Sequence, residues 1–113
     1  MKKIYWASQH SPLPCQIQWL EKHFKEKIKI VKGLNTNAEK IVNDFKKKNC
    51  EEMVVVAPLW VIYHIIQNGI KPLWADMQEV APSEKYDLKY RGRCYKFNGF
   101  KRIEEIKIIY SDL

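Results

Sequence analysis

The chain has 113 residues, 46% of them hydrophobic and 29% charged, with a formal net charge of +7. That is enough for one globular domain, residues 1–113, and too little for two; the apolar and aromatic content excludes intrinsic disorder, and a domain of this size needs no disulfide or metal staple. The longest apolar stretch, Met53 to Ile66, is shorter than the ~20 residues of a membrane span and is broken by Pro58 and His64, while the opening residues hold no apolar core of signal-peptide length before His10. A cytoplasmic protein with no membrane partner is expected, its three widely spaced cysteines (Cys15, Cys50 and Cys94) reduced and without the paired spacing of a zinc site.

Lys3 to Ala7 reads as a first strand, followed by the polar loop Ser8-Gln9-His10-Ser11. Ser11 has the character of a helix N-cap, with Pro12 and Pro14 tolerated in the first turn, and Leu13, Ile17, Leu20 and Phe24 recur at helical spacing. Ile28, Ile30 and Val31 predict a short second strand ended by Gly33. Thr36-Asn37-Ala38-Glu39 fits a capping box opening a second helix, whose apolar face is Ile41, Val42 and Phe45 and whose closing lysines, Lys46 to Lys48, suit the negative end of the helix dipole. Met53 to Ala57 is apolar without alternation, the pattern of a strand covered on both faces in a parallel sheet. After Pro58, Leu59 to Asn68 is apolar almost all round and predicts a buried third helix capped by Gly69. Leu73 to Met77 predicts a fourth strand.

Beyond Pro82 the period changes to two. Tyr86, Leu88 and Tyr90 alternate with polar residues, Gly92 offers a turn, Tyr95 and Phe97 alternate again, Asn98-Gly99 is a second turn signal, and Glu105 to Tyr110 predicts a last strand. The order β-α-β-α-β-α-β followed by antiparallel strands predicts an α/β fold: one Rossmann-like domain, its central sheet mostly parallel, with an antiparallel C-terminal extension.

The positive charge is concentrated. Residues 85–102 hold seven basic side chains, all three arginines among them, against the single acid Asp87, a local charge of +6; the rest of the chain carries +1. Tyr86, Tyr90, Tyr95, Phe97 and Phe100 stand between these cations. Such interleaving suits a partner with phosphates and stackable bases, and it equally describes a strand pair with one buried aromatic face and one wet cationic face. Arg91, Arg93 and Lys96, with Lys89, are the expected polyanion contacts.

In an open parallel sheet, ligands bind beyond the carboxyl ends of the strands. Four loops are expected at that rim: Ser8 to Ser11, Lys32 to Asn37, Pro58 to Trp60, and Asp76 to Gln78. The first two are rich in hydroxyl and amide groups and each opens a helix, whose free amide hydrogens attract phosphate. Gln9, Ser11, Asn35, Thr36, Asn37 and Trp60 are therefore expected to contact ligand. There is no GxGxxG and no GxxxxGK[ST], which argues against a dinucleotide oxidoreductase or a P-loop enzyme. Among the histidines, His23 falls on the polar side of the first helix and His64 reads as a core histidine. His10, in the rim loop, is the candidate for proton transfer, with Ser8 beside it. No hydrolytic triad or metal-ligand spacing stands out.

The stretch IYWASQHSPLPCQIQWLEKHF, a strand ending in a serine–histidine loop and then an amphipathic helix, resembles the small CRISPR-associated proteins built as isolated CARF domains. VVVAPLWVIYHI, a buried strand leading through proline into an apolar helix, is similar to the same class. The matching motifs cover residues 4–24 and 54–66, with one additional residue here, Gln9, between the serine and the histidine. The resemblance implies a ring nuclease for cyclic oligoadenylate, the messenger of type III CRISPR defence. In such an enzyme the ribose 2′-hydroxyl attacks its own phosphodiester, so neither metal nor cofactor is expected, and a homodimer would bind the ring across its two-fold axis. The leading expectation is thus a cyclic oligonucleotide or similar polyanion as partner, bound and cleaved by His10 and Ser8. Two other classes compete: a non-enzymatic DNA- or RNA-binding module using residues 85–102, and a protein-interaction module with Trp60 and Trp74 as exposed anchors.

Overall fold

The computed structural model describes residues 1–33 and 36–113. The elements are β1 (Lys2–Ala7), α1 (Pro14–Phe24), β2 (Ile28–Lys32), α2 (Ala38–Lys47), β3 (Glu52–Val55), α3 (Leu59–Gln67), β4 (Leu73–Val80), β5 (Leu88–Tyr90) and β6 (Arg93–Arg102). One six-stranded sheet runs in the order β2-β1-β3-β4-β6-β5. β1 pairs in parallel with β2 and β3, and β3 with β4, whereas β6 runs antiparallel between β4 and β5. This is the α/β, Rossmann-like arrangement expected, mostly parallel with an antiparallel extension.

The apolar strands lack polar alternation because both sides of the sheet are covered. Successive side chains of a strand point to opposite faces. Ile4 and Trp6 of β1 therefore join Val54, Leu73, Leu20 and Phe100 on the α1 side, while Tyr5 and Ala7 join Met53, Val55, Ile41, Val42, Ile62 and Ile65 under α2 and α3. Each fully buried aliphatic side chain of these clusters contributes about 1.5–3 kcal/mol.

Several local expectations are corrected. α1 is capped at Leu13 rather than Ser11: two prolines delay the first helical turn, and the Gln16 side-chain oxygen accepts the Leu13 N–H at 2.9 Å. α2 starts one residue later than the Thr36 box implied, with Asn37 as N-cap accepting from the Lys40 N–H at 3.2 Å. β3 stops at Val55, since Val56 is turned out to solvent. α3 is not buried all round. A nine-residue helix over the sheet buries one stripe, Ile62 and Ile65, and leaves Leu59 and Trp60 68% and 63% exposed where its first turn passes the sheet's rim. β4 continues to Val80, so Asp76 to Gln78 lie inside a strand rather than in a rim loop.

The larger corrections lie after β4. Asn98-Gly99 is not a turn. β6 runs through it as a single ten-residue strand, with one residue more than β4 between the pairs Ala75–Phe100 and Met77–Phe97. The extra residue makes a β-bulge, with Gly99 at φ 100° against the Trp19 indole. The bulge returns Phe100 to the α1-side core, edge-on to Trp6, Trp19 and Phe97. Glu105 to Tyr110 is not a strand of this sheet. Ile103 donates its N–H to the Pro72 carbonyl at 2.9 Å and, with Ile106, packs on the α2/α3-side core, after which the chain leaves the sheet.

Two expectations follow. A Cβ at Gly99 would lie 2.8 Å from Trp19 Nε1, at a φ that side chains rarely adopt. Gly99→Ala should therefore cost about 2 kcal/mol, read as a Tm lowered by roughly 8–15 °C. The Tyr5 hydroxyl donates to Asp44 Oδ2 at 2.6 Å. That bond, aided by Lys48, holds the Asp44 carboxyl below its ordinary value against the opposing effect of burial. A lowered folded-state value means this stabilisation is complete above about pH 4 and is lost as pH falls through the folded value. Tyr5→Phe should flatten the acid limb of a stability-against-pH curve measured by denaturant unfolding.

Candidate functional site

β1 connects through α1 to β2 on one side, and α2 then carries the chain back past β1 to β3, so strand order reverses between β1 and β3. A cavity of about 170 Å³ opens at that switch point, lined by Ala7, Ser8 and Gln9 from the end of β1, Gly33 and Thr36 beyond β2, Ile41, and Val56 to Pro58 beyond β3. The rim expectation for Ser8, Gln9 and Thr36 is met in space. Asn35 lies outside the described residues.

The loop after β1 is held by its own bonds. Ser8, almost buried, accepts the His10 N–H on its Oγ at 3.1 Å, and the His10 carbonyl accepts Trp6 Nε1–H at 2.7 Å. Ser8 is thus engaged in shaping the loop. The same bonds present the exposed His10 ring edge-on to Tyr90, with centroids 5.2 Å apart. Arg91 lies 5.3 Å from the Tyr90 ring centre. Arg91 and Gly92 have φ of 49° and 77°, the left-handed pair of a tight hairpin between Tyr90 and Arg93. Because β6 is antiparallel to β4, this hairpin tip lies at the same end of the sheet as the rim loops. The sequence placed His10 and Arg91 in separate motifs; the fold makes them neighbours through Tyr90.

Beneath this contact a mainly apolar cavity of about 290 Å³ is walled by Trp6, Leu13, Val54, Met77 and Leu88, with Ser8, His10, Ser11 and the buried Gln16 as its polar groups. Ser11 Oγ lies 3.4 Å from Lys32 Nζ. Gln16, the glutamine at the helix start of the 4–24 motif but not one of the expected ligand contacts, accepts the Leu13 N–H and reaches Met77 Sδ at 4.0 Å. Burial and the nearby Asp87 carboxylate push the Cys15 thiol up, so it is not an activated thiolate.

Other sequence candidates lie apart from this contact. Asn37, Trp60 and Thr36 line an open groove of about 630 Å³ between α2 and α3, together with Glu39, Asn43, His64 and Asn68. Thr36 borders both this groove and the switch-point cavity. His64 is a half-buried groove residue, edge-on to Trp60 at 4.6 Å, rather than a core histidine. Lys96 lies with Gln78, Glu79, Glu84 and Lys85 around a separate hollow. His23 is exposed, as expected, and stacks on Trp19. Among the described residues, no group of three or more His, Cys, Asp or Glu side chains comes together as a metal site would require.

The basic segment divides into two kinds of cation. Arg102 makes a bidentate pair with Glu52 at 3.1 and 2.7 Å and donates to the Lys71 carbonyl at 2.9 Å. Arg93 pairs with Glu79 at 3.3 Å and Lys101 with Asp76 at 3.4 Å. Lys85, Lys89, Arg91 and Lys96 have no acidic partner among the described residues. The aromatics divide likewise: Phe97 and Phe100 belong to the core, whereas Tyr86 and Tyr90 stay exposed.

Arg102→Ala should lower stability by about 1–2 kcal/mol, since it removes charge-assisted bonds at a partly exposed site, whereas Arg91→Gln should change it by less than about 0.5 kcal/mol. Paired thermal melts check this, and equal losses would contradict the division. No protein-family model, no curated protein and no solved structure matches the chain.

Proposed function

We propose that the chain binds a phosphate-rich nucleotide at the carboxyl rim of its sheet, that the ligand is a cyclic oligoadenylate, and that His10 cleaves it without metal. One observation carries this reading: the fold brings the His10 loop, at the switch point of a mostly parallel sheet, against Tyr90, over whose ring lies Arg91, a cation with no acidic partner among the described residues. The Tyr90 ring thus meets both an imidazole and a guanidinium, and the His10 loop supplies Ser8, Gln9 and Ser11 to the two rim cavities. The resemblance of residues 4–24 and 54–66 to CARF-type ring nucleases supplies the ligand.

In this reading Tyr90 stacks a base and Arg91 meets phosphate, with Lys89 and Lys96, which have no acidic partner among the described residues, extending the positive field. The ribose 2′-oxygen attacks the adjacent phosphorus while the bond to the 5′-oxygen breaks. His10 takes the 2′-hydroxyl proton or protonates the leaving 5′-oxygen, an effect worth about 10² to 10⁴ in rate. Ser8 acts by fixing the loop through the His10 N–H. The cytoplasm is the compartment of such a messenger and keeps unpaired cysteines reduced.

The test is thermal denaturation with cyclic oligoadenylates of several ring sizes, beside linear RNA and duplex DNA. A ring that binds only the folded chain should raise the midpoint, whereas stabilisation by long polymers alone, lost steeply with salt, would select the nucleic-acid-binding alternative. His10→Ala should reduce single-turnover cleavage by about 10² to 10⁴ and keep most of the binding, and Arg91→Gln should weaken binding with little change in Tm. Cleavage that survives in His10→Ala would overturn the catalytic assignment.

A further inference from the structure

Residues 105–110, Glu-Ile-Lys-Ile-Ile-Tyr, have the composition of a strand, and the sheet leaves them out. Ile106 rests against the core, but Ile108, Ile109 and Tyr110 are 65%, 93% and 83% exposed. Consecutive large apolar side chains in solvent mark an interaction surface. At one side of the same sheet β2 is an edge strand, hydrogen-bonded among the described residues to β1 as its one neighbouring strand, with the outward N–H of Ile28 covered by Glu21 at 3.3 Å. An open edge is a template for another strand.

We propose that residues 105–110 add as a strand to the free edge of β2 in a second copy of the chain, and that reciprocal exchange of this segment makes a two-fold dimer. Three observations choose this occupant. First, reach excludes the chain's own edge. The position outside β2 is five strand spacings from β6, about 24 Å, whereas the four residues from Arg102 to Ile106 span at most about 14 Å. Second, charge matches. The stretch 25–32 holds Lys25, Lys27, Lys29 and Lys32 against Glu26, while 104–113 holds Glu104, Glu105 and Asp112 against Lys107. Two β2 edges laid together would oppose Lys29 and Lys32, so this edge repels its own kind and accepts a neutral strand flanked by the acids Glu104 and Asp112. Third, length matches. β2 offers five residues and the other edge, β5, only three. Ile103 and Ile106 also turn the segment toward the α2/α3 side. The inference does not depend on the proposed ligand.

The test is the mass of the whole chain in solution by light scattering and sedimentation over a range of concentrations, with hydrogen exchange read at Ile106, Ile108 and Tyr110. A dimer whose amides at these positions are protected is expected. Ile108→Asp should raise its dissociation constant at least about 30-fold, as loss of a central interface contact does, without moving the monomer's circular dichroism. Lys29→Glu with Lys32→Glu should do the same, and adding Glu105→Lys and Asp112→Lys to that chain should restore the dimer. A chain that stays monomeric throughout, a dimer that survives Ile108→Asp, or one that the β2 variants leave intact would each overturn the proposal.

Discussion

The fold depends on β1 and β3 being buried on both faces. Trp6 faces α1 while Tyr5 faces α2, and Val54 divides from Met53 and Val55 in the same way. Strands covered from both sides must satisfy their backbone amides within the sheet, β1 with β2 and β3, and β3 with β1 and β4. That fixes the parallel register from Ile4–Glu52 to Ala7–Val55 and brings Ser8 and Val56 out together at the sheet's end. The rim cavity is a consequence of this register, since the chain must turn away wherever the buried pair ends.

Trp6 links this core to the chemistry. Its ring is buried against Phe100, and its indole N–H needs an acceptor that an apolar core does not provide. The His10 carbonyl supplies it, which folds the loop back over the end of β1 and sets the imidazole against Tyr90. The bulge at Gly99 serves the other side of the same contact. Without the extra residue, the part of β6 beyond it would turn its opposite face to α1, because the side-chain period of a strand is two. Both Phe97 and Phe100 can then face Trp19, and the hairpin carrying Tyr90 and Arg91 holds its place relative to the core.

Electrostatically the molecule separates cations that hold the fold from cations that remain available. Arg102 ties the end of β6 to the start of β3 and to the α3–β4 connection, in a geometry only a guanidinium can match. Arg91 instead stands at a turn whose left-handed backbone points it outward. A count of local charge treats the two alike, although they act on different links of the chain from sequence to function.

Hydrophobic period alone determined the α/β class and the four parallel strands, because unbroken apolar runs such as Met53 to Val55 have few ways to be buried. Polar residues beside helix starts likewise pointed to Ser8, Gln9 and Thr36 before any contact was known. Period could not separate a turn from a bulge at Asn98-Gly99, since both use a glycine at positive φ and differ only in whether the partner strand continues alongside. Nor could it show that Glu105 to Tyr110, strand-like in composition, lacks a neighbour within its own sheet. The meeting of His10 with Tyr90, eighty residues away in the chain and itself under Arg91, was decided by tertiary structure. It follows from the order of strands across the sheet, a long-range property that no local pattern of side chains encodes.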